Sequence, residues 1–184
     1  MTTSELQVKA SIVFWKKRKE LVGDYITTDT KKVRGDWIKR KKQIADFWIF
    51  GDGHFAGLEV KETYGDDFDT QKNEPTRYQM MNLRNIERLG GPAKTGRGFF
   101  LIMFLSTQGI EWYALRITWM DRYFAEQNTH VIKKADMSEA ADADGDAPEV
   151  FRLNVSTEEK EAYDIVDLRP LLQGVKDADI PTAS

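Results

Sequence analysis

The sequence predicts an α/β fold, a mixed central β-sheet flanked by helices, and three observations lead to it. The chain has 184 residues, of which 41% are apolar, and that is enough for one well-packed core. Helix-like and strand-like patterns of apolar residues alternate along it. The run from Phe99 to Leu105 is continuously apolar, which is typical of a strand buried on both faces of a sheet.

The individual elements follow from caps, periodicity and turn residues. Ser4 is the expected cap of the first helix, Gly23 its end, and Gly90-Gly91 the end of the second helix. Gly51-Asp52-Gly53 is a turn signal that joins two strands into a hairpin. The predicted elements are, in chain order, a helix at 4–21, a strand at 24–29, a basic loop or hairpin at 31–42, strands at 44–50 and 54–61, a loop at 64–75, a helix at 77–89, strands at 98–105 and 110–117, a helix at 119–127, a flexible linker or exposed loop at 136–149 and a short terminal element near 157–172.

Composition excludes several classes of protein. The absence of cysteine excludes a disulfide scaffold, a thiolate zinc site and a cysteine nucleophile, and it fits a reducing compartment. The two histidines, His54 and His130, are too few and too scattered for a zinc site. No apolar run approaches the roughly 20 residues that span a bilayer, and no secretory signal is visible. We therefore expect a soluble, cytoplasmic protein without a membrane partner.

Charge is distributed unevenly, although the net charge is only −3. Residues 16–42 contain eleven Lys and Arg against four acids, and residues 136–184 contain thirteen acids against four bases. A polyanion would be attracted to the basic segment, although charged side chains are also common on plainly solvated surfaces. We expect one domain at 1–135 that carries the basic segment, followed by an acidic linker and C-terminal tail at 136–184.

Three charged residues in the predicted hairpin suggest a site: Asp46 on its first strand, and Glu59 and Lys61 on its second. Glu59 and Lys61 are two residues apart, so their side chains point to the same face of the sheet. Hairpin pairing can bring Asp46 beside Glu59. A carboxylate next to the run Phe47-Trp48-Ile49-Phe50 is costly to bury unless it binds a cation or pairs with a base.

This trio has two interpretations. Two adjacent carboxylates repel each other, and a hard divalent cation such as Mg²⁺ relieves the repulsion through oxygen ligands. Mg²⁺ can lower the pKa of a bound water to make a nucleophile, while Lys61 orients that water or stabilises charge on a phosphate. Such groups suit phosphodiester hydrolysis. The alternative is a purely structural cross-strand salt bridge between Lys61 and one carboxylate, and spacing alone does not exclude it.

The surrounding sequence resembles a known nuclease family. Ala45-Asp46-Phe47, the glycine turn and the segment Gly57 to Thr63 resemble the core of the PD-(D/E)XK nucleases, and more narrowly the RecU-type Holliday junction resolvases of Gram-positive bacteria and their phages. The family's signature Glu-Ala-Lys-Glu-Thr reads Glu59-Val60-Lys61-Glu62-Thr63 here. The resemblance covers about residues 44–118, and its further matches are Phe68, Lys72, Asn73, Gln79, Gly90-Gly91 and the strand Phe99 to Phe104.

The resemblance implies a restriction-endonuclease-like core and assigns roles within it. Asp46 and Glu59 would be metal ligands, with the backbone carbonyl of Val60 as a further ligand, and Lys61 would be the catalytic lysine. Gln79 would be an accessory catalytic residue or, alternatively, a solvated amide at the start of its helix. The implied metal is Mg²⁺, with Mn²⁺ as an alternative.

The resemblance also implies how DNA is held. The family carries a projection that enters the junction, and residues 28–43 are a shorter, strongly basic counterpart. Binding of the phosphate backbones is therefore expected at Lys31, Lys32, Arg34, Lys39, Arg40, Lys41 and Lys42. An acid of the first helix often completes such metal sites, and Glu5 and Glu20 are the candidates.

Three functions stay open from the sequence. The first is a structure-selective endonuclease that resolves four-way junctions in a bacterial or phage-infected cell, working as a homodimer because a two-fold dimer offers two matched sites. The second is another PD-(D/E)XK nuclease acting on branched or duplex DNA, such as a phage exonuclease or a restriction-like endonuclease. The third is a non-catalytic DNA-binding module, and the intact Asp46, Glu59 and Lys61 argue against it.

Overall fold

The computed structural model describes residues 1–26, 45–72, 78–89, 96–143, 148–157 and 161–173, together with the backbone of residues 30–33, 36–39 and 76–77. Its helices are α1 (Thr3–Lys17), α2 (Thr76–Leu89), α3 (Ile117–Gln127), α4 (Lys134–Asp142) and a 3₁₀ turn (Arg169–Leu171). Its strands are β1 (Val22–Tyr25), β2 (Thr30–Val33), β3 (Asp36–Lys39), β4 (Phe47–Gly51), β5 (His54–Tyr64), β6 (Asp67–Asp69), β7 (Gly96–Ser106), β8 (Gly109–Arg116), β9 (Val131–Lys133), β10 (Val150–Leu153), β11 (Val155–Ser156) and β12 (Ile165–Val166).

Six strands form a mixed central sheet in the order β1-β4-β5-β7-β8-β10. Strands β5 and β7 are parallel, and the other neighbours in this sheet pair antiparallel. Helix α1 packs on one face, and α2, α3 and α4 pack on the other. The predicted α/β fold with a mixed sheet flanked by helices is therefore confirmed, and it is consistent with a restriction-endonuclease-like core.

Each central strand serves two hydrophobic cores because its side chains alternate between the two faces. On β7, Phe99 and Leu101 are buried beneath α1, whereas Phe100 and Ile102 are buried on the side of α2 and α3. Burial on both faces explains why this strand is apolar without interruption. Glu59 and Lys61 on β5 are exceptions to this apolar pattern, because they are charged and face α2. They are therefore candidates for a functional site.

The β4–β5 hairpin forms where the turn residues predicted it. Gly51 pairs with His54, and the two residues between them, Asp52 and Gly53, have φ angles of 49° and 75°. Positive φ at both central residues matches the right-handed twist of the flanking strands, and an Asp-Gly pair tolerates it at little cost. This turn sets the register that places Asp46, just before the start of β4, beside Glu59.

Helix α2 lies very close to β5 and β7 because glycine occupies the contact positions. A Cβ atom on Gly57 would lie 2.2 Å from Cδ1 of Ile86, and one on Gly98 would lie 2.7 Å from the carbonyl oxygen of Leu83. Glycine inside a strand often marks such a close approach. The contact brings the first turns of α2, and with them Gln79, over β5.

The first helix differs from its prediction at both ends. Thr2, and not Ser4, is its cap: the Thr2 hydroxyl accepts from the backbone of Glu5, whose carboxylate accepts from the Thr2 backbone. Ser4 lies inside the helix and is buried. The helix ends at Lys17, and Lys19 follows with a φ of 60°, so Gly23 belongs to β1 and does not end the helix.

The segment predicted as a flexible linker or exposed loop at 136–149 is partly helical, so that prediction is wrong for residues 136–142. Helix α4 buries Met137, and the Tyr123 hydroxyl donates to Asp136 at 2.5 Å. Alanine and glutamate favour helix once one apolar face finds a core. Beyond it, β10 pairs with β8 in the central sheet, so the predicted division at residue 135 does not fall at an edge of the sheet.

The C-terminal segment 165–173 is bound to the core beneath α1. The backbone of Val166 accepts from the indole of Trp15 at 2.9 Å and donates to the Ser11 hydroxyl at 2.9 Å. The buried guanidinium of Arg97 donates to the carbonyls of Leu171 at 3.2 Å and Gln173 at 2.6 Å. We call residues 165–173 the C-terminal strap.

In the part of the chain that the structure describes, no helix is both long and apolar enough to cross a bilayer.

Candidate active site

Asp46 lies immediately before β4, and not within the strand as the sequence suggested. Its backbone amide donates to Leu58 at 3.0 Å, and its Oδ2 accepts from the backbone amide of Val60 at 2.9 Å. The side chain is only 8% exposed. The β5 backbone therefore holds the Asp46 carboxylate on the face of the sheet where Glu59 projects.

Glu59 and Lys61 project side by side from β5, as their spacing predicted. Glu59 is 2% exposed, and Nζ of Lys61 lies 3.3 Å from its Oε1. The predicted alternative of a structural salt bridge is thus present, although it joins neighbours on one strand and not two strands. The pair leaves the second carboxylate, that of Asp46, without a cationic partner of its own among the ion pairs found in the described chain.

Gln79 reaches the same spot from α2. Its amide nitrogen donates to Oε1 of Glu59. Its own carbonyl oxygen, Oε1, is buried and has no hydrogen-bond partner among the described residues. The predicted role as a solvated amide at the start of the helix is therefore wrong, because the group is directed inward. A buried oxygen without a donor is costly, and it marks a place where a cation or water would be bound.

The protonation of Glu59 reflects this crowding. Burial, followed by the nearby charge of Asp46, raises the pKa of Glu59 to about 8, and the ammonium group of Lys61 only partly opposes the rise. One lysine is thus too weak to keep the carboxyl group charged near neutral pH. A second positive charge at this position would lower the pKa of Glu59 and relieve its repulsion with Asp46.

The donor set fits a hard divalent cation such as Mg²⁺. The carboxylates of Asp46 and Glu59 lie close enough to interact, and the Gln79 amide, whose own oxygen has no partner among the described residues, contacts Glu59 through its nitrogen. Mg²⁺ binds through one or two carboxylates and keeps several waters, so it does not need a complete cage of protein ligands. The described residues contain no group of three or more His, Cys, Asp or Glu side chains that could hold a metal ion.

Val60 enters the site through its backbone amide, which donates to Asp46. This contact was not predicted, and it fixes one carboxylate oxygen of Asp46. The carbonyl of Val60 as a further metal ligand stays a prediction.

The structure describes only three of the seven predicted DNA-binding residues, and those only by their backbone. Lys31, Lys32 and Lys39 belong to the two-stranded hairpin of β2 and β3, so of the two predicted conformations, a loop or a hairpin, the hairpin is favoured. Only the backbone of this hairpin is described. The predicted residues outside the described part of the chain are Arg34, Arg40, Lys41, Lys42 and, from the family resemblance, Asn73 and Gly90-Gly91.

Neither acid proposed from the first helix region joins the site. The Glu5 carboxylate caps its own helix by accepting from the Thr2 backbone, and Glu20 binds Arg169 at 2.6 Å. Two further residues on which the family resemblance rests, Phe68 and Lys72, make structural contacts in this protein. Phe68 is fully buried in the core on the α2 side, and Lys72 pairs with Asp69 at 3.5 Å on the surface.

The residues that hold the site's side chains in place but take no part in its chemistry were not identified from the sequence. Gly57 and Gly98 set the height of α2 above the sheet, and the Val60 amide orients Asp46. A glycine in the middle of a strand pattern was the available signal for the first two. For the Val60 amide there was no signal, because the contact depends on how the chain enters β4 at Asp46.

Comparison with known proteins leaves the family open. No family model and no curated protein matches the chain. Among solved structures the chain is similar to Hjc, a Holliday junction resolvase from the archaeal hyperthermophile Archaeoglobus fulgidus. The TM-score is 0.34 and the sequence identity 9%, with 58% of this chain and 71% of that chain covered. The narrower RecU-type assignment stays a prediction, and the function is inferred from the residues of the site itself.

Proposed function

We propose that the chain is a metal-dependent DNA nuclease with its active site at Asp46, Glu59, Lys61 and Gln79. The observation that carries the proposal is the convergence of two buried carboxylates and one ammonium group on one face of the sheet. Burying two carboxyl groups beside one lysine is costly, because either one negative charge lacks a partner or Glu59 must keep a proton near neutral pH. Function explains such a cluster better than packing does.

The chain's own residues have distinct tasks in this proposal. Asp46 and Glu59 would hold a divalent cation, whose chemistry would be the activation of a water and the neutralisation of charge on the phosphate. Lys61 projects from the same face, where its ammonium group stabilises charge on a phosphate oxygen. The Val60 amide orients Asp46, and the Gln79 amide nitrogen orients Glu59. We propose Mg²⁺ as the cation, with Mn²⁺ as the alternative.

For the substrate, we propose four-way DNA junctions cut symmetrically by a homodimer. Support comes from the sequence resemblance over residues 44–118 and from the strongly basic segment that precedes β4. Phosphate contacts from Lys31, Lys32, Lys39 and their basic neighbours would make binding weaken steeply with salt. The proposed setting is the cytoplasm of a bacterial or phage-infected cell.

A different DNA nuclease with the same chemistry is the second candidate. One observation favours it: β2 and β3 are only four residues long each, so the basic hairpin is short for an element that has to enter the centre of a junction. Such an enzyme would use the same four residues on a fork or a duplex.

Substrate competition separates the two candidates. A synthetic four-way junction, a fork and a plain duplex of matched sequence are incubated side by side with the protein and Mg²⁺. Paired cuts at symmetric positions on opposite strands of the junction, with the duplex spared, support junction resolution. Equal cutting of the duplex or cutting confined to the fork favours the second candidate, and no Mg²⁺-dependent cutting of any substrate contradicts the proposed nuclease.

A further inference from the structure

The sheet face that carries the candidate active site continues into an exposed aromatic patch. Trp48 and Phe50 on β4 point away from the α1 face where Phe47 and Ile49 are buried, and so toward the face where Asp46 lies beside Glu59. In the register of the sheet, Phe50 lies between Val22 on β1 and Phe55 on β5. The aromatic patch consists of Val22, Trp48, Phe50 and Phe55.

Much of the patch stays in contact with solvent. Val22 is 49% exposed, Phe50 46% and Phe55 37%, and the half-buried Trp48 stacks on Phe55 with ring centroids 6.5 Å apart and planes inclined by 23°. On the opposite face of β4, Phe47 is fully buried beneath α1. Within the described chain this part of the sheet is therefore left open to solvent, and clustered exposed apolar side chains mark binding surfaces.

Charge and position argue for a flat, uncharged occupant. The patch contains no lysine or arginine, and the charged neighbour in its register is an acid, Asp24, opposite Trp48. Phosphate groups are therefore not attracted to the patch itself. Trp48 is two residues from Asp46, a distance of about 7 Å along the chain. A chemical group bound to the patch would therefore be part of a nucleotide close to the phosphate at the candidate active site. The faces of nucleobases match this chemistry, because every base stacks on aromatic rings.

Only unpaired bases offer their faces to a protein. In a duplex each base is covered by its neighbours and presents its edges, whereas splayed or single-stranded bases stack on aromatic side chains. We propose that the aromatic patch stacks on unpaired bases of the DNA strand that leads into the candidate active site. This inference rests on the proposed nuclease function, and it narrows the substrate to DNA with a single-stranded segment beside the cut, as in a fork, a flap or an opened junction.

The test compares ring removal with ring retention. Phe50→Leu combined with Phe55→Leu removes both exposed rings and keeps apolar side chains, while Phe50→Tyr combined with Phe55→Tyr keeps the rings. Tyr64→Leu is the matched control, because Tyr64 is an aromatic residue that is 78% exposed at the far end of β5. Fluorescence anisotropy with a metal chelator present gives the dissociation constants for a labelled single strand, a fork and a duplex without cleavage.

The double leucine variant should lose about tenfold or more in affinity for the single strand and the fork and keep its affinity for the duplex. The double tyrosine variant and Tyr64→Leu should bind all three DNAs as the wild type does. Unchanged single-strand affinity in the double leucine variant would overturn the inference. So would an equal loss on the duplex, or a conversion of a wild-type dimer to a monomer, which would assign the patch to a second copy of the chain.

Mg²⁺-dependent cleavage by the wild type, measured on the same DNAs, separates a failure of the stacking inference from a failure of the proposed nuclease function. If the wild type cuts DNA and ring removal changes nothing, the stacking inference fails and the nuclease stands. If the wild type neither binds nor cuts DNA, the nuclease proposal fails, and the stacking inference fails with it.

Discussion

At Glu59, a buried carboxyl group beside a second carboxylate makes stability depend on pH. Its pKa is raised from 4.5 to about 8, first by burial and then by the charge of Asp46. Between these values the folded protein holds a proton that the unfolded chain has released. The free energy of unfolding therefore falls as the pH rises from the unfolded pKa to the folded one, and this contribution is fully present only below the unfolded pKa.

Glu59→Gln should remove most of this dependence. With metal chelated, we expect the free energy of unfolding of the wild type to fall from about pH 5 to about pH 8 and then level off. The variant should stay flatter, with a difference of a few kcal/mol above the raised pKa. Denaturant titrations at several pH values measure this, with Glu62→Gln, on the opposite face of β5, as the control. An equally steep slope in Glu59→Gln would mean that another group titrates.

At this scale the site was largely predictable, for a physical reason. Glu59 and Lys61 share a face because strands have a period of two, and the Asp-Gly turn sets which residue of the preceding segment lies beside them. Gln79 comes from a separate element, so only resemblance pointed to it. That its carbonyl oxygen is buried without a donor depends on the packing of α2, which spacing along the chain does not encode.

At the scale of elements, the position of Gln79 in the candidate active site depends on how closely α2 packs on the sheet. Gly57→Val should push Ile86, and with it α2, away from β5, because the added Cβ would lie far inside van der Waals distance. Overpacking of this kind costs roughly 1–3 kcal/mol. We also expect slower cleavage, since Gln79 is displaced from Glu59.

Adding Ile86→Ala to the Gly57→Val variant should recover part of both losses, because it opens space for the new side chain. A double-mutant cycle, built from the unfolding free energies and cleavage rates of the single and double variants, measures this recovery. Additive losses without recovery would contradict the assigned contact.

The C-terminal strap is the second element with a testable role. Arg97→Met should leave the carbonyls of Leu171 and Gln173 without their donor, while the methionine fills much of the buried space. Removing a hydrogen bond of this kind costs roughly 1–3 kcal/mol. Arg152→Met, at a side chain 55% exposed on β10, is the control and should change the unfolding free energy little. Equal effects of the two substitutions would contradict an anchoring role for Arg97.

Most elements could be predicted, and the failures share a cause. Turn residues, one continuous apolar run and helical patterns gave β5, β7, β8, α2 and α3 close to their observed bounds. The acidic segment after residue 135 was misjudged because composition suggested a solvated chain. Its order comes instead from tertiary contacts, the burial of Met137 and the pairing of β10 with β8, which no local pattern of the segment reveals.

At the scale of the whole molecule, the uneven charge should govern how DNA is approached. Replacing Arg40, Lys41 and Lys42 with glutamine should weaken binding and reduce the slope of log affinity against log salt by about 0.9 for each phosphate that the variant no longer neutralises. The matched control replaces three other bases, Lys16, Lys17 and Lys19, by glutamine and should change the slope less. Equal changes in both variants would indicate a general effect of net charge and contradict a specific phosphate-binding segment.

The measurement that bears most directly on the two-carboxylate site is single-turnover DNA cleavage with Mg²⁺ by Asp46→Asn and Glu59→Gln. Glu62→Gln serves as the control, because Glu62 lies on the same strand but contacts the start of α1. We expect both site variants to lose more than about 100-fold in rate, beyond what residues outside the ligand shell typically cost. Their DNA affinity should be unchanged or higher, and the control should cut normally. Mg²⁺-dependent cleavage retained by both site variants would contradict the assignment.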